Sequence, residues 1–336
     1  MNTIPSIFNE KLPSYTALGG RERRASTGLS AVVLNRGGRY SRYQFFEDLE
    51  KAGFDYVLSM ESSASRYDLE SLSQNFPFVR FILLHEGLSP GEEINLAAAE
   101  LPSPLFFVLW NDVKILRSGR ADRMAERLLA GSQDDKALYK RLCTCPQIQD
   151  SRSETLPSII EAALLPEKDP WRAIKTIPAI PDREGLPSLY PFDGMGIYDR
   201  ERFIRLGGFD SSIKNFHWQL MDFGFRSSLW GEEIAATLLI KLSYEGAVPE
   251  EDLTGAESQR RFFLKNLAPI FRGDYAHIPL RRFPGYLFKH RDLSSAWEEF
   301  KAARLWVMAN RFRFVSDART MAERFSSIKR DIHEEP

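Results

Sequence analysis

Four stretches between residues 31 and 110 constrain the fold most: Ala31-Val32-Val33-Leu34, Tyr56-Val57-Leu58, Val79 to Leu84 and Leu105 to Trp110. Each is short and nearly unbroken in apolar residues. A strand with one face in water alternates apolar and polar side chains, whereas a strand covered on both faces does not. These runs therefore predict a parallel sheet sandwiched between helices. Helix-like segments lie between them, over Tyr43 to Ala52, Tyr67 to Phe76 and Glu92 to Glu100. Ser89-Pro90-Gly91-Glu92 opens the third, with Ser as N-cap, Pro at the first helical position and Glu reaching back. Four βα units in succession give an α/β fold of the nucleotide-binding kind.

The flanks read differently. Residues 1–28 are polar, with Gly19-Gly20 and Arg21, Arg23 and Arg24, and predict a loosely held lead-in. Residues 29–246 form the sheet domain. After Asp112 it continues with a helix over Ala121 to Leu129 and a strand within Leu138 to Ile148. The Pro-rich stretch Ser151 to Pro191 predicts long loops over the sheet, of the kind that carry substrate contacts. Residues 247–336 predict a helical C-terminal region, with helices over Glu257 to Phe271, Leu293 to Asn310 and Ala318 to Lys329. The 45 basic and 46 acidic residues nearly cancel, so no global field favours nucleic acid or an acidic membrane. Cys143 and Cys145 are too close to clip a long loop and lack partners for zinc, which predicts reduced thiols and a cytoplasmic setting. No apolar run approaches the ~20 residues of a membrane-spanning helix, which leaves a soluble or peripherally bound protein.

The segment from Leu206 to Ile234 carries a denser pattern: the turn Gly207-Gly208-Phe209-Asp210, then a helix with Trp218, Gln219, Leu220, Asp222, Arg226 and Gly231. It resembles the acceptor-side segment of the family 2 glycosyltransferases, W-E-D-x-D-L-x-x-R-x-x-x-x-G. The resemblance extends over Leu29 to Leu242. Asn35-Arg36 is similar to the turn at the nucleotide base, and Ser59-Met60-Glu61-Ser62-Ser63 to the loop that reads it. Gly87 and Asn95 approximate a G-x-x-x-A-x-N-x-G stretch, and Trp110-Asn111-Asp112-Val113 stands at the D-x-D motif. The resemblance implies a GT-A fold and an inverting transfer from a nucleoside diphosphate sugar to a glycan or lipid-linked acceptor. A lipid-linked acceptor would be met at the inner face of a membrane. Asn35, Arg36, Glu61 and Ser63 would hold the nucleotide, with Asp112 beside the diphosphate and as ligand to Mn²⁺ or Mg²⁺. Gly208, Phe209, Asp210, His217 and Trp218 would face the acceptor.

Departures from the pattern fall on the chemistry. Trp110 offers no metal ligand, and hard divalent cations want several oxygens. Gln219 and Leu220 occupy the positions of two acids. An amide can orient a hydroxyl but cannot remove its proton, so Gln219 is a positioning candidate and Asp222 the surviving acid. Asp222 also stands four residues before Arg226, the spacing of a supporting ion pair. Asp193 and Asp210 are further loop acids that could approach an acceptor. The basic cluster Arg281, Arg282, Lys289, His290 and Arg291 reads as a solvated face or as a source of cations for a diphosphate. Two functions follow: a sugar transferase, or a degenerate relative that binds a nucleotide, glycan or partner protein without turnover.

Overall fold

The computed structural model describes residues 13–20, 26–37, 41–61, 69–117, 121–130, 141–167, 173–288 and 293–325. A nine-stranded sheet runs through it. Its strands are β1 (Tyr15–Gly19), β2 (Leu29–Leu34), β3 (Val57–Glu61), β4 (Val79–Leu84), β5 (Leu105–Trp110), β6 (Val113–Arg117), β7 (Arg141–Gln149), β10 (Gly196–Asp199) and β11 (Glu233–Tyr244). The pair β8 (Ile159–Leu164) and β9 (Ile174–Ala179) forms a separate antiparallel hairpin. In space the order is β1-β4-β3-β2-β5-β10-β7-β11-β6. Strands β2, β3, β4, β5, β7 and β11 run one way, against β1, β6 and β10. The sheet is thus mostly parallel and flanked by helices, as the apolar runs require, and every residue of β2 and of β5 is buried.

Helices α1 (Arg42–Ala52), α2 (Leu69–Asn75) and α3 (Pro90–Glu100) connect the first parallel strands. Helix α3 begins with the capping box that its sequence announces. The chain steps from β2 outward to β3 and β4, then returns to β5 on the other side of β2. Connections diverging in this way open a crevice at the carboxyl ends of β2 and β5, where open α/β sheets take their ligands.

The motif turn and helix follow. Helix α4 (Ala121–Ala130) precedes β7, while α5 (Arg200–Leu206) leads into the glycine turn and α6 (Phe216–Leu229) leaves it. Phe209 stacks on Phe223 at 4.6 Å. Asn95 of α3 grips the backbone of Phe209, accepting from its N–H at 2.9 Å and donating to its carbonyl at 2.8 Å. On β7, Cys143 and Cys145 are buried free thiols.

Three expectations change. The lead-in contributes an edge strand, β1, whose half-exposed residues lack the apolar run that marks the inner strands. The span 256–271 is not one helix. Helix α7 (Ala256–Phe262) widens into a π-turn over Phe263–Leu267, and a hairpin of β12 (Ile270–Arg272) and β13 (Tyr275–His277) follows. Pro269 cannot donate the next helical hydrogen bond, which ends the helical course there. The Pro-rich stretch contains the β8–β9 hairpin rather than loop alone. Beyond it come α8 (Phe283–Leu287) and α9 (Leu293–Asn310), and residues 318–325 are helical where a helix from Ala318 was expected. That region lies against α6 and the residue after it: Phe262 packs on Trp218 at 5.5 Å, and Trp306 stacks on Trp230 at 5.8 Å.

Candidate functional site

Two asparagines stitch the rim of the sheet at the crevice, one between β2 and β5 and one between β2 and β3. Leu34 pairs with Trp110 in the parallel register, so the residues that follow emerge side by side. The Asn111 amide oxygen accepts from the Arg36 N–H at 3.2 Å, and its nitrogen donates to the Gly37 carbonyl at 3.1 Å. Asn35 ties β2 to β3 by donating to the Met60 carbonyl at 2.6 Å, while its amide oxygen stays buried without a hydrogen-bond partner.

Arg36 is the centre of this site. Its guanidinium lies 3.7 Å from the centroid of the Trp110 ring. Its Nε is 3.3 Å from an Asp112 carboxylate oxygen, and its terminal nitrogen pairs with Asp193. Tyr244 donates to Asp193 at 2.8 Å, and Trp110 Nε1 donates to the Asp193 carbonyl at 2.9 Å. Asp193 holds φ at +53°, a left-handed conformation uncommon outside glycine, so the surroundings fix it there. Burial pushes the Asp112 and Asp193 carboxyls above the usual carboxylate range, with Arg36 working against the shift in both.

A cavity of about 310 Å³ opens beside this cluster, with Arg36, Asp193 and Trp110 on one side. Residues 249–252 of the loop before α7 also line it, and this loop is clamped to the start of α6. Asn215 caps α6 by accepting from the Trp218 N–H at 3.1 Å, and it donates to Asp252 at 2.9 Å (carbonyl) and 3.0 Å (carboxylate). Trp218 Nε1 donates to the Thr254 carbonyl at 2.9 Å. The clamp brings Glu251 against His217, with Oε2 3.0 Å from Nδ1.

Several residues named from sequence lie elsewhere. Glu61 is buried with its carboxylate forked on Arg42, one bond measuring 2.9 Å, so it supports β3 from inside and does not face the cavity. Asp222 has no exposed surface. It accepts from Arg226 at 2.8 Å and from Asn266 at 2.8 Å, and lies 3.0 Å from Lys265 Nζ. Burial alone would push its carboxyl up, but Lys265 and Arg226 outweigh that and hold it below the usual range. A carboxylate so enclosed has no path to a hydroxyl. Gln219 is equally buried, donating to Ser89 at 2.7 Å and accepting from the Gly91 N–H at 3.3 Å. Asp210 pairs with Lys265 at 2.6 Å, Phe209 is buried, and the Gly208 carbonyl takes Arg226 at 2.6 Å. Of the acceptor-side candidates, His217 lines the cavity and Trp218 braces its wall. Arg281 and Arg282 are not among the lining residues, while Ser63, Lys289, His290 and Arg291 fall outside the described residues.

The expected divalent metal meets a poor donor set. Both ends of the Asn111 amide are engaged, Trp110 supplies nothing, and Asp112 and Asp193 close on a guanidinium. Among the described residues no three His, Cys, Asp or Glu side chains converge on one point. Mn²⁺ or Mg²⁺ does not fit Asp112 as it is placed, because Arg36 is already the cation there. Asp193 was visible only as a loop acid, and Tyr244 and Glu251 carried little signal in the sequence. Asp193 sits in a Phe-Asp-Gly turn just after the Pro-rich stretch, and Glu251 in an acidic run that reads as solvated surface.

No family model matches this sequence, and no curated protein sequence matches it. Among solved structures, GalNAc-T7 with UDP, GalNAc and Mn²⁺ is similar at a TM-score of 0.49 and 11% identity, over 84% of this chain and 56% of that one. S. aureus TarS 1–349 in complex with UDP-GlcNAc is similar at a TM-score of 0.42 and 12% identity, over 70% of this chain and 64% of that one. The present chain therefore spans less than two thirds of either protein chain. Likeness at this level carries no inference about activity.

Proposed function

We propose that this protein binds a nucleoside diphosphate sugar in the crevice between β2 and β5 and transfers the sugar to a hydroxyl of a glycan or lipid-linked acceptor. The supporting observation is the position of Arg36, which presents a guanidinium at the switch point of a parallel sheet, beside a cavity. A guanidinium offers two parallel hydrogen bonds to phosphate oxygens, so Arg36 can exchange a carboxylate partner for the donor's diphosphate. The buried, unpartnered Asn35 amide oxygen suits an N–H on the edge of a base. Phe192, Phe216 and Leu220 give the cavity an apolar floor for the sugar ring. Among the described residues no helix is long and apolar enough to cross a membrane.

The enclosure of Asp222 and Gln219 favours a second reading, in which the donor is bound but not turned over. One experiment separates the two. The purified protein is titrated calorimetrically with UDP-, GDP-, dTDP- and CDP-sugars in EDTA, and nucleotide release is then followed with glycan and lipid-linked hydroxyl acceptors. Binding of one donor class without metal, weakened at least tenfold by Arg36→Ala, supports the site. Nucleotide release supports the transferase, and binding without release supports the silent relative. Failure of every donor to bind overturns both.

A further inference from the structure

We infer that the pair His217–Glu251 is the proton acceptor of this site, supplied by the start of α6 and the loop before α7 instead of the enclosed positions Gln219 and Asp222. The inference rests on the transferase reading above. An attacking hydroxyl must lose its proton as it bonds to the anomeric carbon, and the base must reach it within one hydrogen bond. His217 is available for this: it lines the same cavity as Arg36 and is 8% exposed. Its Nδ1 is buried and lies 3.0 Å from Glu251 Oε2, close enough for an ion pair though poorly aligned as a hydrogen bond. Such contacts tighten when substrate closes a site. With Nδ1 turned to a carboxylate, Nε2 is the nitrogen left for a ligand, and the carboxylate stabilises the imidazolium formed when Nε2 takes a proton.

Other charged groups of the cavity have other work. Asp193 is held by Arg36 and Tyr244. Asp252 is held by Asn215 and by the Thr254 N–H at 2.9 Å, and Lys214 pairs with Glu92 at 2.6 Å. Glu250 lines the same wall and serves as the comparison. The acceptor oxygen bonds to the anomeric carbon, and its proton passes to His217 Nε2. The bond from that carbon to the diphosphate oxygen breaks, and its electron pair leaves with the nucleoside diphosphate beside Arg36.

The test compares His217→Gln, His217→Ala, Glu251→Gln and Glu250→Gln in the full chain, reading donor affinity by calorimetry and sugar transfer by nucleotide release. Loss of a general base is expected to slow transfer ~10²–10⁴-fold. His217→Gln should show that loss with donor affinity within about twofold of the parent. Glu251→Gln, at a half-exposed position that spares the fold, should lose transfer by about tenfold or more through kcat. Imidazole added to His217→Ala should restore part of the rate, which a purely structural role would not allow. Transfer within threefold of the parent in both His217→Gln and Glu251→Gln overturns the assignment and leaves the transferase reading standing. So does a loss confined to Glu250→Gln. A parent protein that binds a donor but turns over with no acceptor also overturns it, whereas one that binds no donor ends the transferase reading itself.

Discussion

Arg36 is held on four sides: by the face of Trp110, by the Asp112 and Asp193 carboxylates, and through its own amide on Asn111. Replacing it with methionine keeps the stem on Trp110 and leaves two buried carboxyls facing each other. Breaking a fully buried pair costs ~3–5 kcal/mol, and the 22% exposure of Arg36 lowers the expectation to about 2 kcal/mol. Both carboxyls are already raised by burial, so each takes a proton more readily in the folded state than in the unfolded one. The loss in Arg36→Met should therefore be largest near pH 8 and shrink toward pH 5, as read from guanidinium unfolding at the two pH values. Glu93 gives the same sign in isolation. Burial pushes its carboxyl up to about 8, with the charges of Glu61 and Glu92 adding to the effect. A carboxyl raised on folding costs nothing below its unfolded value and costs progressively more as pH rises toward its folded value. Glu93→Gln should match the parent near pH 4 and exceed it at pH 9, on the order of 2 kcal/mol.

At the scale of elements, α6 and the π-turn behind it form one electrostatic unit. Lys265 is buried between Asp210 and Asp222, at 2.6 and 3.0 Å. Burial alone would raise both carboxyls, but Lys265 and its neighbouring arginines hold both below the usual range. Their contribution to stability is complete above about pH 4 and drains as acid protonates them. Lys265→Met should cost about 3 kcal/mol at pH 7 and progressively less below pH 4, by the same unfolding measurement. Gly224 shows how closely α6 sits on its neighbours: an added Cβ would stand 2.3 Å from the Leu189 carbonyl oxygen. Gly224→Ala gains ~1 kcal/mol of helix propensity and should still destabilise by about 2 kcal/mol net, because backbone must move. What the sequence conveyed follows from these contacts. Apolar runs and caps located β2 to β5 and α3, because burial on two faces and capping leave local marks. Asp222 with Arg226 was legible as a pair from its spacing. Its remaining partners, Lys265 and Asn266, come from some forty residues further on, and no local pattern announces such a meeting. Arg36 was legible as a site residue through the turn after β2. Its partner Asp193 and the cavity residue Glu251 arrive through loops whose positions depend on the whole sheet.

On the scale of the molecule, the C-terminal region cannot be lifted from the sheet domain without exposing Asp222, Trp218 and Trp230, so the described residues are expected to unfold in one transition. Strand β7 can report it. Cys143 is completely buried and Cys145 nearly so, between β10 and β11, and burial raises the Cys143 thiol well above its ordinary value. A thiol so placed is neither ionised nor reachable while the strand is in register. An added aromatic disulfide should therefore colour only as the whole sheet comes apart, with both sulfurs reacting together and, at high reagent, at a rate set by the opening step. Early, partial colour would mean that this edge of the sheet breathes independently. With neither residue altered, the molecule carries its own stopwatch for coming undone.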